Sequence, residues 1–458
     1  MVRLALHLFF RRIEVEARHN IPPAGPVIFA PNHTNALVDP LLLVIAMRRV
    51  LTLTAKNVLG KNPLLRWLMS ATGVVTFHRR EDTGRGADLR QNVRSLQICR
   101  NILARGGAVC IFPEGVSHSD PGLRAFHVGP ARLALDFVRK DGNPGGVRIV
   151  PVGLLYTEKD RMRSGVWLRF GDPIDVAHWL NERPDAGAAE LTAELQRRVA
   201  ELTLNYESRR ESAVLTWAAE IVATEGRQPS PLGWSDRPVA EWFRLLARLQ
   251  AGYAGLCVTQ PELIEELTVR IRRYRAQLKR AGISPAEVYL PIHFGRAAFF
   301  VIRELELLVI GAPLALFGFI NHAAPYYLVK WLARKLSKDK DHWASNIVFP
   351  SLLVFPFFYL VQLAAAWLLL PPLWAGVYTV ALPYTGYYAL LYADRLPQTW
   401  RRARTFVRFL FRRADQRALA DEGRAIVARI QELGRQLEQD GAAAGGADQA
   451  TYRERTIP

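Results

Sequence analysis

Cysteine is scarce in this chain: Cys99, Cys110 and Cys257 are the three in 458 residues. None stands at a metal-ligand spacing. A disulfide framework or zinc site is therefore excluded as the basis of the fold, and a reducing, cytoplasmic setting is expected. Cys110 lies in an apolar run and reads as a core residue. No cleavable signal peptide is visible, and none is expected. The apolar stretch from Leu4 to Phe10 is short, has no small-residue cleavage site and runs into Arg11 and Arg12. It is expected to be either an interfacial helix or a first helix capping a domain. Acidic residues are few beside basic ones, 42 against 60, so the net charge is +18 and the pI about 10.2. Such a surplus suits nucleic acid or an anionic lipid surface. The arginines are scattered beside apolar stretches, without a nucleic-acid recognition module. The expected partner is thus a phospholipid membrane and not a nucleic acid.

Hydrophobic residues make up 50% of the chain, enough for one α/β domain and substantial further structure. Residues 26–175 alternate short apolar runs with helical stretches, the signature of an α/β domain. Strands are expected at 26–30, 73–78, 107–112, 147–155 and 166–170. Asp88 to Leu103 has helical periodicity and ends at Gly106-Gly107. Pro40 at a first helical position places Asp39 near a helix N-cap.

That residue belongs to the most informative stretch of the chain, Pro31-Asn32-His33-Thr34-Asn35-Ala36-Leu37-Val38-Asp39-Pro40. It sets a histidine and a carboxylate on one strand-to-helix turn, an edge where α/β folds place chemistry. A histidine held by an aspartate can take a proton from a hydroxyl near neutral pH. No serine or cysteine nearby has a nucleophile-like setting, so the proton is expected to come from a substrate alcohol more than from an enzyme nucleophile. Three further blocks follow in order: Gly73 to Arg79, Phe112-Pro113-Glu114-Gly115, and Val150-Pro151-Val152-Gly153.

The four blocks together resemble the glycerolipid acyltransferase family, the glycerol-3-phosphate and lysophosphatidate acyltransferases, over about residues 10 to 175. The resemblance implies a mixed sheet flanked by helices, with His33 as general base and Asp39 orienting it. Five residues separate the two here, where the family usually has four. Asn35 would orient the turn. Arg79 is the phosphate-binding position, and a guanidinium can grip phosphate through two parallel hydrogen bonds. Glu114 and Gly115 belong to the block at the acceptor phosphate, Glu114 orienting Arg79 or a backbone loop. Arg132 is a candidate second phosphate ligand, and His118 reads as a loop residue without a role. Val150, Pro151, Val152 and Gly153 would shape the acyl-donor pocket. The acceptor would be glycerol-3-phosphate or 1-acylglycerol-3-phosphate. The donor would be an acyl-CoA or acyl carrier protein thioester, and neither metal nor organic cofactor is implied. Two alternatives are an acyltransferase for a different lipid acceptor and a catalytically silent lipid-binding protein of the same fold.

Beyond a catalytic domain at 1–180, a charged helical insert is expected at 181–300. Its run of Arg270, Arg272, Arg273 and Arg275 would be a solvated or headgroup-facing surface. A membrane region follows at 301–395. Within it, 347–370 and 373–393 read as a transmembrane hairpin with both ends cytoplasmic, by length, absence of charge and the basic flanks. Residues 307–329, interrupted by Gly311, Pro313, Asn321, His322 and Pro325, read as re-entrant or interfacial. Basic amphipathic and charged helices are expected at 396–440, open to self-association as a homo-oligomer, and a disordered tail at 441–458. The C-terminal part is expected to anchor the enzyme to the bilayer and to contribute little to its chemistry.

Overall fold

Short apolar runs become central strands because both faces of a parallel sheet are covered by helices. In Val27–Pro31 all five residues are buried, and in Arg148–Tyr156 the run from Ile149 to Leu154 is. The computed structural model describes residues 2–56, 73–77, 89–140, 146–225, 238–289, 294–337 and 342–454. In chain order these form α1 (Val2–Phe9), β1 (Phe10–Glu16), β2 (Val27–Pro31), α2 (Val38–Ala46), β3 (Leu51–Lys56) and β4 (Val75–Phe77). Next come α3 (Leu89–Ala104), β5 (Ala108–Cys110), α4 (Gly129–Lys140), β6 (Arg148–Tyr156), β7 (Ser164–Phe170) and β8 (Ile174–Asp175). Helices complete the chain: α5 (Val176–Glu182), α6 (Ala188–Leu202), α7 (Arg209–Thr224), α8 (Val239–Thr259) and α9 (Pro261–Ala281). The last are α10 (Pro285–Val288), α11 (Phe294–Leu336), α12 (Trp343–Leu369), α13 (Pro372–Phe411) and α14 (Arg413–Glu454). Two compact units result, Met1–Glu207 with Tyr327–Phe358, and Ser208–Tyr326 with Tyr359–Pro458.

In the first unit the described strands make one eight-stranded mixed sheet, ordered β1-β7-β6-β2-β5-β3-β4, with β8 beside β6. Strands β6, β2, β5, β3 and β4 run parallel, while β7 is antiparallel to β6. The period-two alternation of β2 divides the core. Ile28 and Ala30 face a cluster built with α3, α4, α5 and α6, whereas Val27 and Phe29 face one built with α1 and α2. Helix α1 covers this second face through buried Leu6 and Phe9, as the capping reading expects, while Leu4 stays 64% exposed.

The second cluster has an unexpected member. Ala344 and Val348, in the first turns of α12, are buried in it beside Leu42, Phe29 and Val150. Farther along the same helix, Leu353 is 58% exposed. The unit that carries the motifs therefore extends past residue 180 to Glu207 and takes back Tyr327–Phe358, where sequence pattern shows only an anchor.

Gly153 of β6 lies against the end of α6, and a Cβ there would stand 2.5 Å from the Leu202 carbonyl oxygen. Backbone cannot swing away as a flexible side chain can. Gly153→Ala is expected to destabilise the unit by about 1–3 kcal/mol, read as a lowered thermal midpoint in detergent.

In the second unit, α7, α9, α10 and α14 pack through Val214, Ile221, Ile271, Tyr274, Val288, Ile426 and Val427. Ion pairs Arg270–Glu422 (2.7 Å) and Arg275–Glu220 (2.8 Å) use two arginines of the expected headgroup-facing run. The apolar face of α14, open to self-association by composition, is thus occupied within the chain. Helix α14 also takes in residues 441–454 of the expected tail.

Among the described residues, two helices are long and apolar enough to cross a membrane: Val309–Leu336 and Trp343–Leu369. The first is a continuous helix through Pro313 and Pro325, and the second contains most of the first expected hairpin span. The second expected span, 373–393, is part of α13, which continues without a break into the basic stretch that follows. His322 donates or accepts across 2.8 Å to the Tyr359 hydroxyl, so its ring is engaged between helices of this unit.

Candidate active site

The parallel strands β6, β2 and β5 are neighbours, and their carboxyl ends converge. This is the edge at which open α/β sheets place ligands. Each end delivers one part of the site: His33 after β2, Glu114 after β5, and Tyr156 as the last residue of β6. Asn32 locks the first to the third. Its side-chain amide donates to the Leu154 carbonyl (3.1 Å), and its carbonyl oxygen accepts from the Leu154 N–H (2.7 Å).

After Asn32 the chain reverses. Ala36 takes φ +30°, a left-handed conformation that lets the turn hold one residue more than the family spacing. Helix α2 then begins at Val38 after Leu37 at the N-cap, so Asp39 lies near the N-cap as expected, while Pro40 is the third helical residue instead of the first. The carboxylate points back across the turn. Its Oδ2 lies 2.9 Å from His33 Nδ1 and accepts from the N–H groups of Thr34 and Asn35, both at 2.8 Å. Tyr156 donates its hydroxyl to Oδ1. A fully buried carboxylate is tolerable only when its lone pairs are taken up in this way.

An ionised carboxylate is an acceptor only, so His33 carries its proton on Nδ1 and presents the Nε2 lone pair. The imidazole stacks on Phe112, with ring centroids 4.0 Å apart, and its side chain is 16% exposed. A substrate hydroxyl can therefore reach it. Burial and the charge of Asp39 both push the Tyr156 hydroxyl well above the usual phenol range, which keeps it protonated as a donor. The same two causes raise the buried Cys110 thiol, which stays protonated and inert.

Glu114 organises the opposite side of the turn. Oε1 accepts from the His33 backbone N–H (2.6 Å), while Oε2 accepts from the Arg124 N–H (2.9 Å) and meets His118 Nε2. Glu114 thus holds backbone, one of its two expected roles; the partner in the other, Arg79, lies outside the described residues. Gly115 supports this bend at φ +67°, its N–H bonded to the Phe112 carbonyl at 3.0 Å. His118, expected to be idle, is buried and returns a backbone N–H to the His33 carbonyl (3.2 Å). Lys159 Nζ donates to the carbonyls of Thr34 (2.7 Å) and His118 (2.9 Å), tying the two loops together. Asn35 is buried and donates its amide to the Lys159 carbonyl at 3.2 Å.

The structure thus brings His33, Asp39, Asn35, Glu114 and Gly115 together. Arg79 lies outside the described residues, although β4, which precedes it, runs parallel to β3 and so ends on the same edge of the sheet. Arg132 is an exposed residue on α4 whose backbone N–H bonds Val128 (2.8 Å), and no hydrogen bond among the described residues joins it to the His33 turn. Val150, Pro151, Val152 and Gly153 are buried strand residues, with Val150 and Val152 in the core cluster. Sequence reasoning did not single out Tyr156, Lys159 or Ser345, whose Oγ accepts the Leu37 N–H at 3.0 Å beside the start of α2. A polar aromatic closing the apolar run of β6 was the one available signal for Tyr156.

Residues 12–155 match the Acyltransferase family model. The chain is similar to 1-acyl-sn-glycerol-3-phosphate acyltransferase of Chlamydomonas reinhardtii, 30% identical over 149 residues, 32% of this chain and 40% of that protein. It is also similar to glycerol-3-phosphate O-acyltransferase 1 of Saccharomyces cerevisiae, 24% identical over 431 residues, 74% of this chain and 54% of that protein. A solved 1-acyl-sn-glycerophosphate acyltransferase from Thermotoga maritima aligns with a TM-score of 0.33 at 23% identity, over 43% of this chain and 73% of that one. The chain spans about half or less of the length of these two curated relatives.

Proposed function

We propose that residues 12–155, which match the Acyltransferase family model, form an acyltransferase domain of the glycerolipid type, and that the chain is a membrane-bound O-acyltransferase using a glycerol-phosphate acceptor. The observation that carries this reading is the partly exposed His33, with Nδ1 held 2.9 Å from the buried Asp39 and no hydrogen bond to Nε2 among the described residues. His33 Nε2 takes the proton of the acceptor hydroxyl as its oxygen attacks the thioester carbonyl. Asp39 stabilises the imidazolium that forms. The tetrahedral oxyanion collapses with cleavage of the C–S bond, and the imidazolium proton passes to the leaving thiolate. Ester and thiol result, and His33 returns to its starting state. The donor is an acyl thioester of CoA or acyl carrier protein, and no cofactor takes part.

Glycerol-3-phosphate is the favoured acceptor. The similarity to the yeast glycerol-3-phosphate enzyme extends over 74% of the chain, far beyond the motif region. The algal 1-acylglycerol-3-phosphate enzyme, matched at higher identity over 32% of the chain, supports the second reading. The two apolar helices and the +18 charge support integral membrane residence with the catalytic unit on the cytoplasmic face.

Purified full-length protein, given labelled acyl-CoA or acyl carrier protein thioester, distinguishes these acceptors in a panel of glycerol-3-phosphate, 1-acylglycerol-3-phosphate and glycerol. Label is expected on glycerol-3-phosphate, and label on none of the three would overturn the reading. Arg79→Lys is expected to raise the KM for the phosphorylated acceptor more than that for the donor, because ammonium loses the bidentate geometry. An equal rise for both would remove Arg79 from the phosphate role.

A further inference from the structure

The Val150–Gly153 strand raises a question the core packing does not answer. Its side chains are buried in the sheet, yet the strand ends at the reacting histidine's partner. Two register facts put it there. Parallel pairing aligns Pro31 with Val152, and the Asn32–Leu154 hydrogen bonds extend that pairing two residues farther along β6. Tyr156 consequently stands beside the turn that carries His33. Antiparallel pairing with Val166 fixes its backbone, and the Phe10 ring, 5.8 Å away between centroids, packs on its own.

The two oxygens of Asp39 are loaded unequally. Oδ2 takes three donors, His33 Nδ1 and the N–H groups of Thr34 and Asn35. Oδ1 takes the Tyr156 hydroxyl, its one hydrogen bond among the described residues. Without that hydroxyl, Oδ1 would be a buried charged atom with no donor, and the carboxylate would gain by rotating toward whatever could reach it. Such rotation moves Oδ2 off the line to Nδ1. Among the described residues no replacement is at hand: the Cys110 thiol is buried and the Lys159 ammonium donates to the carbonyls of Thr34 and His118.

We propose that Tyr156 is a positioning residue of the active site, its hydroxyl fixing the Asp39 carboxylate so that His33 keeps its Nδ1 proton and its aim. The inference rests on the general-base reading of His33. It gives the fourth sequence block a reason beyond packing, because the buried run from Val150 to Leu154 sets where Tyr156 arrives.

The test is Tyr156→Phe in the full-length protein, which removes one oxygen and keeps the ring on Phe10. Loss of a charge-assisted hydrogen bond should lower kcat by about 10- to 100-fold. The KM values for acceptor and donor should stay within about twofold of wild type, since Tyr156 acts through Asp39 and touches neither substrate. The same substitution made in an Asp39→Asn background should cost far less, because the carboxylate it orients is gone. A loss due to unfolding would be equal in both backgrounds and would overturn the proposal, as would a Tyr156→Phe enzyme with wild-type kcat. His33→Ala, assayed alongside, separates the two levels. An active His33→Ala enzyme would sink the general-base reading itself, whereas an inactive one beside a fully active Tyr156→Phe would sink only the role given to Tyr156.

Discussion

His33→Ala is expected to cut turnover by about 10²- to 10⁴-fold, the usual worth of a positioned general base, and to leave the protein folded. The fold should survive because the imidazole is not a core residue. It stacks on Phe112 with one edge open to solvent. Asp39 loses one donor in the variant but keeps the N–H groups of Thr34 and Asn35 and the hydroxyl of Tyr156, so no orphaned charge is created. The loss should therefore appear in kcat with the melting profile unchanged. Asp39→Asn should retain a small residual rate, since it misdirects the base without deleting it. Turnover above about a tenth of wild type in His33→Ala would exclude general-base catalysis at this position. It would then favour the silent lipid-binding alternative, in which the histidine is a turn residue.

The parts of this site that are legible in the sequence are those whose signal is local. A histidine and an aspartate on one turn, and a Phe-Pro-Glu-Gly bend after an apolar run, can be seen within ten residues. The extra residue between His33 and Asp39 casts doubt on their contact only until the left-handed Ala36 is known, and spacing alone does not encode that angle. Strands β2, β5 and β6 are legible because their apolar runs are continuous. Strand β1 is hidden because Arg11, Arg12, Glu14 and Glu16 break its pattern. At the sheet edge, where among the described residues it pairs with β7, those charged residues are half-buried instead of packed in the core. Strand β3 is hidden for a different reason: its alternation of leucine and threonine is too short to stand out from a loop. Contacts across the chain are the least visible. The Ser345 hydroxyl meets Leu37 across 308 positions, and an apolar helix gives no sign that its first turns belong to the core beside the sheet.

That last contact makes the start of an expected anchor part of the unit that carries the His33 turn, and Val348→Asp tests the difference. Val348 is 1% exposed, packed in the cluster that also holds Leu42 of α2 and Phe29 of β2. Those two elements flank the His33 turn. An aspartate there has no partner, so it must either stay charged in an apolar core or take up a proton, and both choices are costly. Destabilisation on the order of 4 kcal/mol or more is expected, a large share of the 5–15 kcal/mol that holds a typical domain together. Activity toward glycerol-3-phosphate in detergent should be lost with it, although every residue of the His33 turn is intact. Leu353→Asp, five positions farther along the same helix at an exposed site, should leave detergent activity near wild type and alter only partition into vesicles. The pair separates two architectures. If residues 301–458 serve only to hold the enzyme on the bilayer, both aspartates act on membrane partition and neither on turnover. If the first turns of α12 complete the core behind the His33–Asp39 pair, Val348→Asp alone silences the enzyme, with a lowered thermal midpoint as its physical signature.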